Sequence, residues 1–321
     1  MLVKILKTNR PSAYIAFFVS AVVFFLLDIF IGTKPSLVTD HPLFSSLASF
    51  FANDSIWSNV LLFIIGLLMA MGWNNALSER GVFKNATIIP AFLFIILSSV
   101  FSLSSFWVCA FTFLFVMNKL MLCFQQERPY GLLFDSGFLI SLATVINPIC
   151  IFFFILTYVA VVVYSTINWR NFLIPIIGLF TPFLFIWTYG FYFDSLPDLS
   201  DYYFSYIQWS PPSVEYSLAF LIWSTLVLLL FFFAIRELAQ WLTKKSLRSR
   251  KSFYVFFAYS ICAFVGFFFV QDSWNYLLLF SLPFTVLTAN YFLFIEKRWW
   301  YESLFILILI STVYLQLAPL F

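Results

Sequence analysis

The sequence predicts an all-α polytopic membrane protein of about eleven spans, N-terminus inside and C-terminus outside, and three observations predict it. Of its 321 residues 63% are hydrophobic and 10% charged, whereas about a quarter of an ordinary globular domain is charged. Apolar runs recur from end to end at roughly the ~20 residues that a helix needs to cross ~30 Å of hydrocarbon. Runs such as LLFIIGLLMAMGW and FLIWSTLVLLLFFFAI do not alternate, as the ~10-residue strands of a β-barrel must.

The elements follow in order. The start, MLVKILKTNR, is basic and precedes a long apolar run with no A-x-A-like cleavage site, so it reads as an uncleaved anchor. Hydropathy places spans near 12–32, 57–76, 86–104, 106–124, 131–147, 149–167, 172–193, 217–239, 254–271, 273–295 and 299–318. The stretch 131–167 is one overlong helix or two joined at Asn147-Pro148, since proline removes a donor and disfavours helix before it. The positive-inside rule decides. Two spans put 16 of the 17 Lys and Arg inside, leaving only Lys34 outside. One span would expose nine of them, including KKSLRSRK. The outer segment 194–216 then carries acids and no Lys or Arg, and 240–253 is a long inner basic loop. Trp57, Trp73, Trp107, Trp169, Trp241, Trp299 and Trp300 sit near span ends, as an interfacial belt does. Gly137 and Ser141, one turn apart, form a small-residue face for a neighbouring helix.

Several chemistries are excluded. No G-x-x-x-x-G-K-[ST] or G-x-G-x-x-G occurs, so a nucleotide-driven pump is not expected. The single histidine cannot build a His-rich metal site. Cys109, Cys123, Cys150 and Cys262 lie inside apolar runs as small core residues. No cofactor, metal or nucleic-acid partner is expected. Asp28 and Asp135 lie towards span ends rather than at the midplane, where ion-coupled transporters keep ionisable groups.

The first outer loop holds the candidate site. In SLVTDHPLFSSLASFFANDSIW, Leu43, Phe44, Leu47, Phe50 and Phe51 recur at helical spacing, with Ser45, Ser46, Ser49 and Asn53 on the other face. Pro42 suits a first helical turn. The segment reads as an amphipathic helix lying in the outer interface. Asp40 and His41 then precede it at the membrane surface. Asp40 is either a helix N-cap or a base acting on a membrane-bound substrate, and His41 either a solvated residue or a phosphate contact.

This arrangement resembles the GT-C-type glycosyltransferases, which take sugars from polyprenyl-phosphate carriers at the outer face. Asp40, Phe44 and Ala48 fit the family's pattern of an acid, an aromatic and a small residue. GFLISLATVINPICIFFFILTYVAVVVYSTINWRNFLIPIIG is similar to its fifth-to-seventh-span region. The resemblance covers about residues 10–216, with 217–321 adding four spans to one polytopic domain. It implies Asp40 as catalytic base, His41 and Lys34 on the carrier phosphate, and Asp198, Asp201 and Tyr202 on sugar beneath the roof DSLPDLSDYYFSYIQW. It departs from the family in following one acid with His41 and in lacking outer arginines. The whole chain also resembles an uncharacterised family of polytopic inner-membrane proteins of the Bacteroidota, in its Phe-, Ile- and Asn-rich usage. The expected place is therefore a bacterial cytoplasmic membrane. Expected partners are membrane lipids, a polyprenyl-phosphate carrier and other envelope membrane proteins. Two further readings compete: an inactive scaffold of an envelope-assembly complex, and a transporter or flippase of a lipid-linked glycan. The latter would use Asn74, Asn75, Asn118, Asp135, Asn147, Gln271, Asp272 and Asn275.

Overall fold

The structure, a computed structural model, describes residues 2–7, 10–31, 55–84, 86–164, 167–194, 196–197, 202–203, 206, 217–270, 272–295 and 298–318. Among the described residues all regular structure is helical. Among these residues seven helices are long and apolar enough to cross a membrane. The expected interfacial helix of the first loop, with Lys34, Asp40, His41, Phe44 and Ala48, lies outside the described residues, as do Asp198, Asp201 and Gln271.

The order is α1 (Leu2–Leu6), α2 (Pro11–Ile31), α3 (Ser55–Glu79), α4 (Ile89–Ser98), α5 (Ser105–Leu122) and α6 (Tyr130–Ile146). A 3-10 helix, Pro148–Phe154, then leads into α7 (Ile155–Tyr164). The rest are α8 (Trp169–Tyr192), α9 (Leu218–Trp241), α10 (Leu247–Gly266), α11 (Ser273–Phe294) and α12 (Arg298–Leu317). α11 is the central helix, with 78% of its membrane-length window buried, against 17% for α8 at the edge. It packs on α4, α5, α9 and α10.

Three sequence expectations are corrected. The run 86–104 is not one span-length helix. α4 has ten residues, all buried, and at 1.5 Å per residue reaches ~15 Å, about half the hydrocarbon. Pro90 sits in its first turn, and the serines beyond it turn the chain: Ser98 and Ser99 bond back to the carbonyls of Ile95 and Ile96 at 3.3 and 2.9 Å. The basic stretch 240–253 is mostly helix rather than loop. α9 runs to Trp241 and α10 starts at Leu247, capped by Ser246, whose hydroxyl accepts from the Ser249 amide. Trp73 and Trp107 are not belt residues but fully buried. Their indole N–H groups find partners inside, Thr285 Oγ1 at 3.3 Å and the Ser102 carbonyl at 3.0 Å, which makes deep burial of an indole affordable.

Gly137 does face a neighbouring helix. A Cβ there would collide with the Pro175 carbonyl oxygen of α8, and one at Gly178 with the Phe134 carbonyl oxygen of α6. Two backbones in such contact need glycine on both sides. This seam is the main attachment of α8.

The two ends of the bundle differ in charge. Turns at one end are tied by Thr87 to the Leu6 carbonyl (3.1 Å), Ser249 to the Val82 carbonyl (2.7 Å) and Arg80 to Asn118 (2.8 Å). Every described Lys and Arg position lies at this end. There Lys119 pairs with Asp135 at 2.7 Å, and Arg248 and Lys251 cover the Phe124 ring.

Lys245, in the turn between α9 and α10, donates to Asn290 at 2.6 Å. Its ammonium lies 4.9 Å from the Phe253 ring and 4.2 Å from that of Phe294. Burial pushes it down to about 8. The folded value lies below the unfolded one of ~10.4, so the folded state sheds its proton first and gains stability as pH rises from about 8 towards 10. The melting temperature in detergent is expected to rise across that window, and Lys245→Gln to flatten the rise. An equal rise in the variant would assign it to another group.

Candidate functional site

The end opposite the basic residues gathers amides, hydroxyls and one carboxylate where three helical turns meet. Asn147 is the residue between α6 and the 3-10 helix, held extended at φ −144° and ψ 110°. Pro148 after it forbids helical continuation, so the chain reverses. The Asn147 backbone donates to Ala143 at 2.8 Å and its carbonyl accepts from Cys150 at 3.0 Å. Its side chain is thereby turned into the bundle and is 1% exposed.

Both amide hydrogens of Asn147 are used. Nδ2 donates to the Tyr206 hydroxyl oxygen at 3.0 Å and to Ser105 Oγ, at the start of α5, at 3.3 Å. Among the described residues its Oδ1 accepts no hydrogen bond. A buried amide oxygen without a donor costs about 1–3 kcal/mol, so this atom is the open valence of the cluster.

Tyrosines cover it. Tyr203 donates its hydroxyl to the Val145 carbonyl at 3.2 Å. The Tyr202 ring lies 5.4 Å from Tyr203 and 5.6 Å from Tyr206, and Tyr203 meets Phe183 of α8 at 5.9 Å. Burial pushes the Tyr203 hydroxyl up to about 12. Tyr206 is also pushed up by burial, opposed by the Asn147 hydrogen bond and reinforced by the nearby Asp272 charge. Both therefore stay protonated at neutral pH and act as neutral donors and acceptors.

Beside this lies a second polar group. Asp272 caps α11, taking the Asn275 backbone N–H at 3.2 Å and its Nδ2 at 2.8 Å. Ser102 donates to Asn275 Oδ1 at 3.1 Å. Aromatic rings flank it, with Trp274 5.3 Å from Phe101 and 5.9 Å from Trp223. Both Asp272 oxygens are thus engaged. Hydroxyls, amides and ring faces suit a polyol; abstraction of a proton would need a base supplied from elsewhere.

Of the residues expected to form a site, Tyr202 is described and lies in this tyrosine group; Lys34, Asp40, His41, Asp198 and Asp201 lie outside the described residues. Ser105, Tyr203 and Tyr206 join the cluster without having been singled out. Their signal was the buried Asn147 itself, since an interior amide requires partners. The residues named for a transport path divide between the ends: Asn118 and Asp135 meet Arg80 and Lys119 at the basic end, and Asn147, Asp272 and Asn275 lie opposite. Among the described residues no group of three or more His, Cys, Asp or Glu could hold a metal, and the four cysteines are buried and free.

Residues 1–320 match a sequence family described as "Family of unknown function (DUF6427)". No curated protein and no solved structure matches the chain.

Proposed function

We propose that this chain, which belongs to the DUF6427 family, is an eleven-span protein of a bacterial cytoplasmic membrane that transfers a sugar at the outer face from a polyprenyl-phosphate carrier, in the manner of the GT-C-type glycosyltransferases. Support for a count of eleven comes from the seven long apolar helices together with four shorter ones, Pro11–Leu27, Ile89–Ser98, Tyr130–Ile146 and Pro148–Tyr164; Ile89–Ser98 makes a pass only with the serine turn beyond it, which carries the chain from Thr87, bonded to Leu6, to Ser102, bonded to Asn275. With every described Lys and Arg at one end, the positive-inside rule turns that end inward. The Asn147 end then faces outward.

The observation that carries the chemistry is the Asn147–Ser105–Tyr206 cluster beneath Tyr202 and Tyr203. Ring faces stack on sugars, and neutral hydroxyls and amides bond to sugar hydroxyls without demanding a charge. In this reading Asp40, at the start of the first outer loop, takes the acceptor hydroxyl proton. The acceptor oxygen forms the new bond to the anomeric carbon, and the carrier phosphate leaves with the electron pair of the broken bond. Lys34 and His41 stabilise that leaving phosphate, and Asp198, Asp201 and Tyr202 hold the sugar. The test is complementation of a deletion strain by Asp40→Asn, followed by transfer assays on membranes with extracted lipid-linked sugars. Failure of the variant with normal protein level supports the enzyme.

A second reading, a catalytically inactive scaffold of an envelope-assembly complex, is favoured by one observation. The carboxylate in the described cluster, Asp272, is occupied by Asn275 at both oxygens, which is a structural cap and not a free base. Full complementation by Asp40→Asn selects this reading.

A further inference from the structure

A cleft of about 630 Å³ opens at the basic end, where the last turns of α9 and α11 meet the first turn of α12. Among the described residues its wall carries one charge of each sign, Arg236 and Glu237, among the rings of Phe233, Tyr291, Trp299 and Trp300. The rings are fixed in place. Trp300 donates its indole N–H to the Tyr291 hydroxyl oxygen at 3.0 Å. Phe233 stacks on Tyr291 at 6.3 Å and meets Trp300 edge-on at 6.0 Å. Trp299, 78% exposed, stands at the mouth.

Arg236 and Glu237 are successive on one helix, so their side chains diverge by ~100°. Neither makes an ion pair with a described residue. An anion alone in this cleft meets the repulsion of Glu237, and a cation alone that of Arg236. A zwitterion satisfies both: the guanidinium fork matches a phosphate, and a carboxylate with aromatic faces suits an ammonium.

The surroundings say which zwitterion. The cleft sits where the helices end, at the level of head groups. Leu229 and Phe232 lie on the Arg236 face of α9, and Ile306 and Ile310 on the Trp299 face of α12. All four are exposed, at 42%, 66%, 48% and 60%. This apolar surface runs from the cleft towards the middle of the bundle, where acyl chains would lie. We propose that the cleft binds the head group of a zwitterionic aminophospholipid, its phosphate on Arg236 and its ammonium on Glu237 among the rings.

The full chain, purified in neutral detergent, is titrated with dioleoyl phosphatidylethanolamine, dioleoyl phosphatidylglycerol and free phosphoethanolamine. Bound lipid is read by native mass spectrometry and stabilisation by melting temperature. Phosphatidylethanolamine is expected to bind roughly tenfold more tightly than phosphatidylglycerol, the effect of one charge-assisted contact. Glu237→Gln is expected to erase that preference while phosphatidylglycerol still binds, and Arg236→Gln to weaken both. Equal binding of the two lipids by the unaltered protein overturns the proposal without reference to any variant. So does a preference that survives Glu237→Gln. Stabilisation by free phosphoethanolamine equal to that by the lipid would assign the cleft to a soluble phosphoamine and overturn the lipid assignment.

Discussion

Gly137→Leu is expected to abolish most of the folded yield in detergent. The α6–α8 seam is backbone against backbone: a Cβ at Gly137 would enter the Pro175 carbonyl oxygen, and its counterpart Gly178 faces the Phe134 carbonyl in the same way. A flexible side chain could rotate aside; a helical carbonyl cannot. Overpacking a core by a few methylenes costs about 1–3 kcal/mol, and here the helices must also separate. That separation removes the main attachment of α8, whose surface is otherwise largely exposed. Net stabilities are only ~5–15 kcal/mol, so the variant sits near the threshold. Gly131→Leu is the control, because nothing lies within 4 Å of a Cβ there. Size-exclusion yield and melting temperature separate the two. A Gly137→Leu protein that matches the control would show that the backbones do not meet.

Asp40→Asn is expected to leave yield and melting temperature near those of the unaltered protein and to fail in complementation. Asparagine keeps the size of the side chain and caps helices about as well as aspartate, but it cannot take a proton. Losing a general base costs ~10²–10⁴ in rate; losing a cap outright costs only ~1 kcal/mol of stability. The two roles therefore leave different traces, one in activity with stability intact, the other in neither measurement for this conservative change. Complementation at the unaltered level would make Asp40 a cap and leave the scaffold reading.

How much of this was legible in the sequence depends on the range of the interaction. Helicity and membrane-length runs were legible because composition and hydropathy are local sums. Gly137 was legible as a small residue one turn from Ser141, but its partner Pro175 was not. α4 was misread because hydropathy over 86–104 does not separate a buried ten-residue helix from a buried serine turn. Trp73 and Trp107 were misplaced for a related reason. Their position near span ends fits a belt, and Thr285, which lets Trp73 be buried, lies 212 residues away in sequence. The start of α10 was hidden by its charges. LRSRK reads as a loop, yet the Ser246 cap and aromatic cover over the cations let it coil. In the candidate site, Asn147 was visible only as a turn. Its bonds to Tyr206 and Ser105 span 59 and 42 residues, beyond any periodicity.

In the proposed orientation the tyrosine-covered end faces outward and the basic end inward. Single cysteines at Pro197, which precedes the tyrosine group in the chain, and at Lys244, in the basic turn, test it in a background where Cys109, Cys123, Cys150 and Cys262 are replaced. Both positions are exposed. Intact cells are treated with a membrane-impermeant maleimide. Labelling of Pro197→Cys is expected in intact cells and of Lys244→Cys only after lysis. Labelling of Lys244→Cys from outside would contradict the orientation, and with it the outward-facing site.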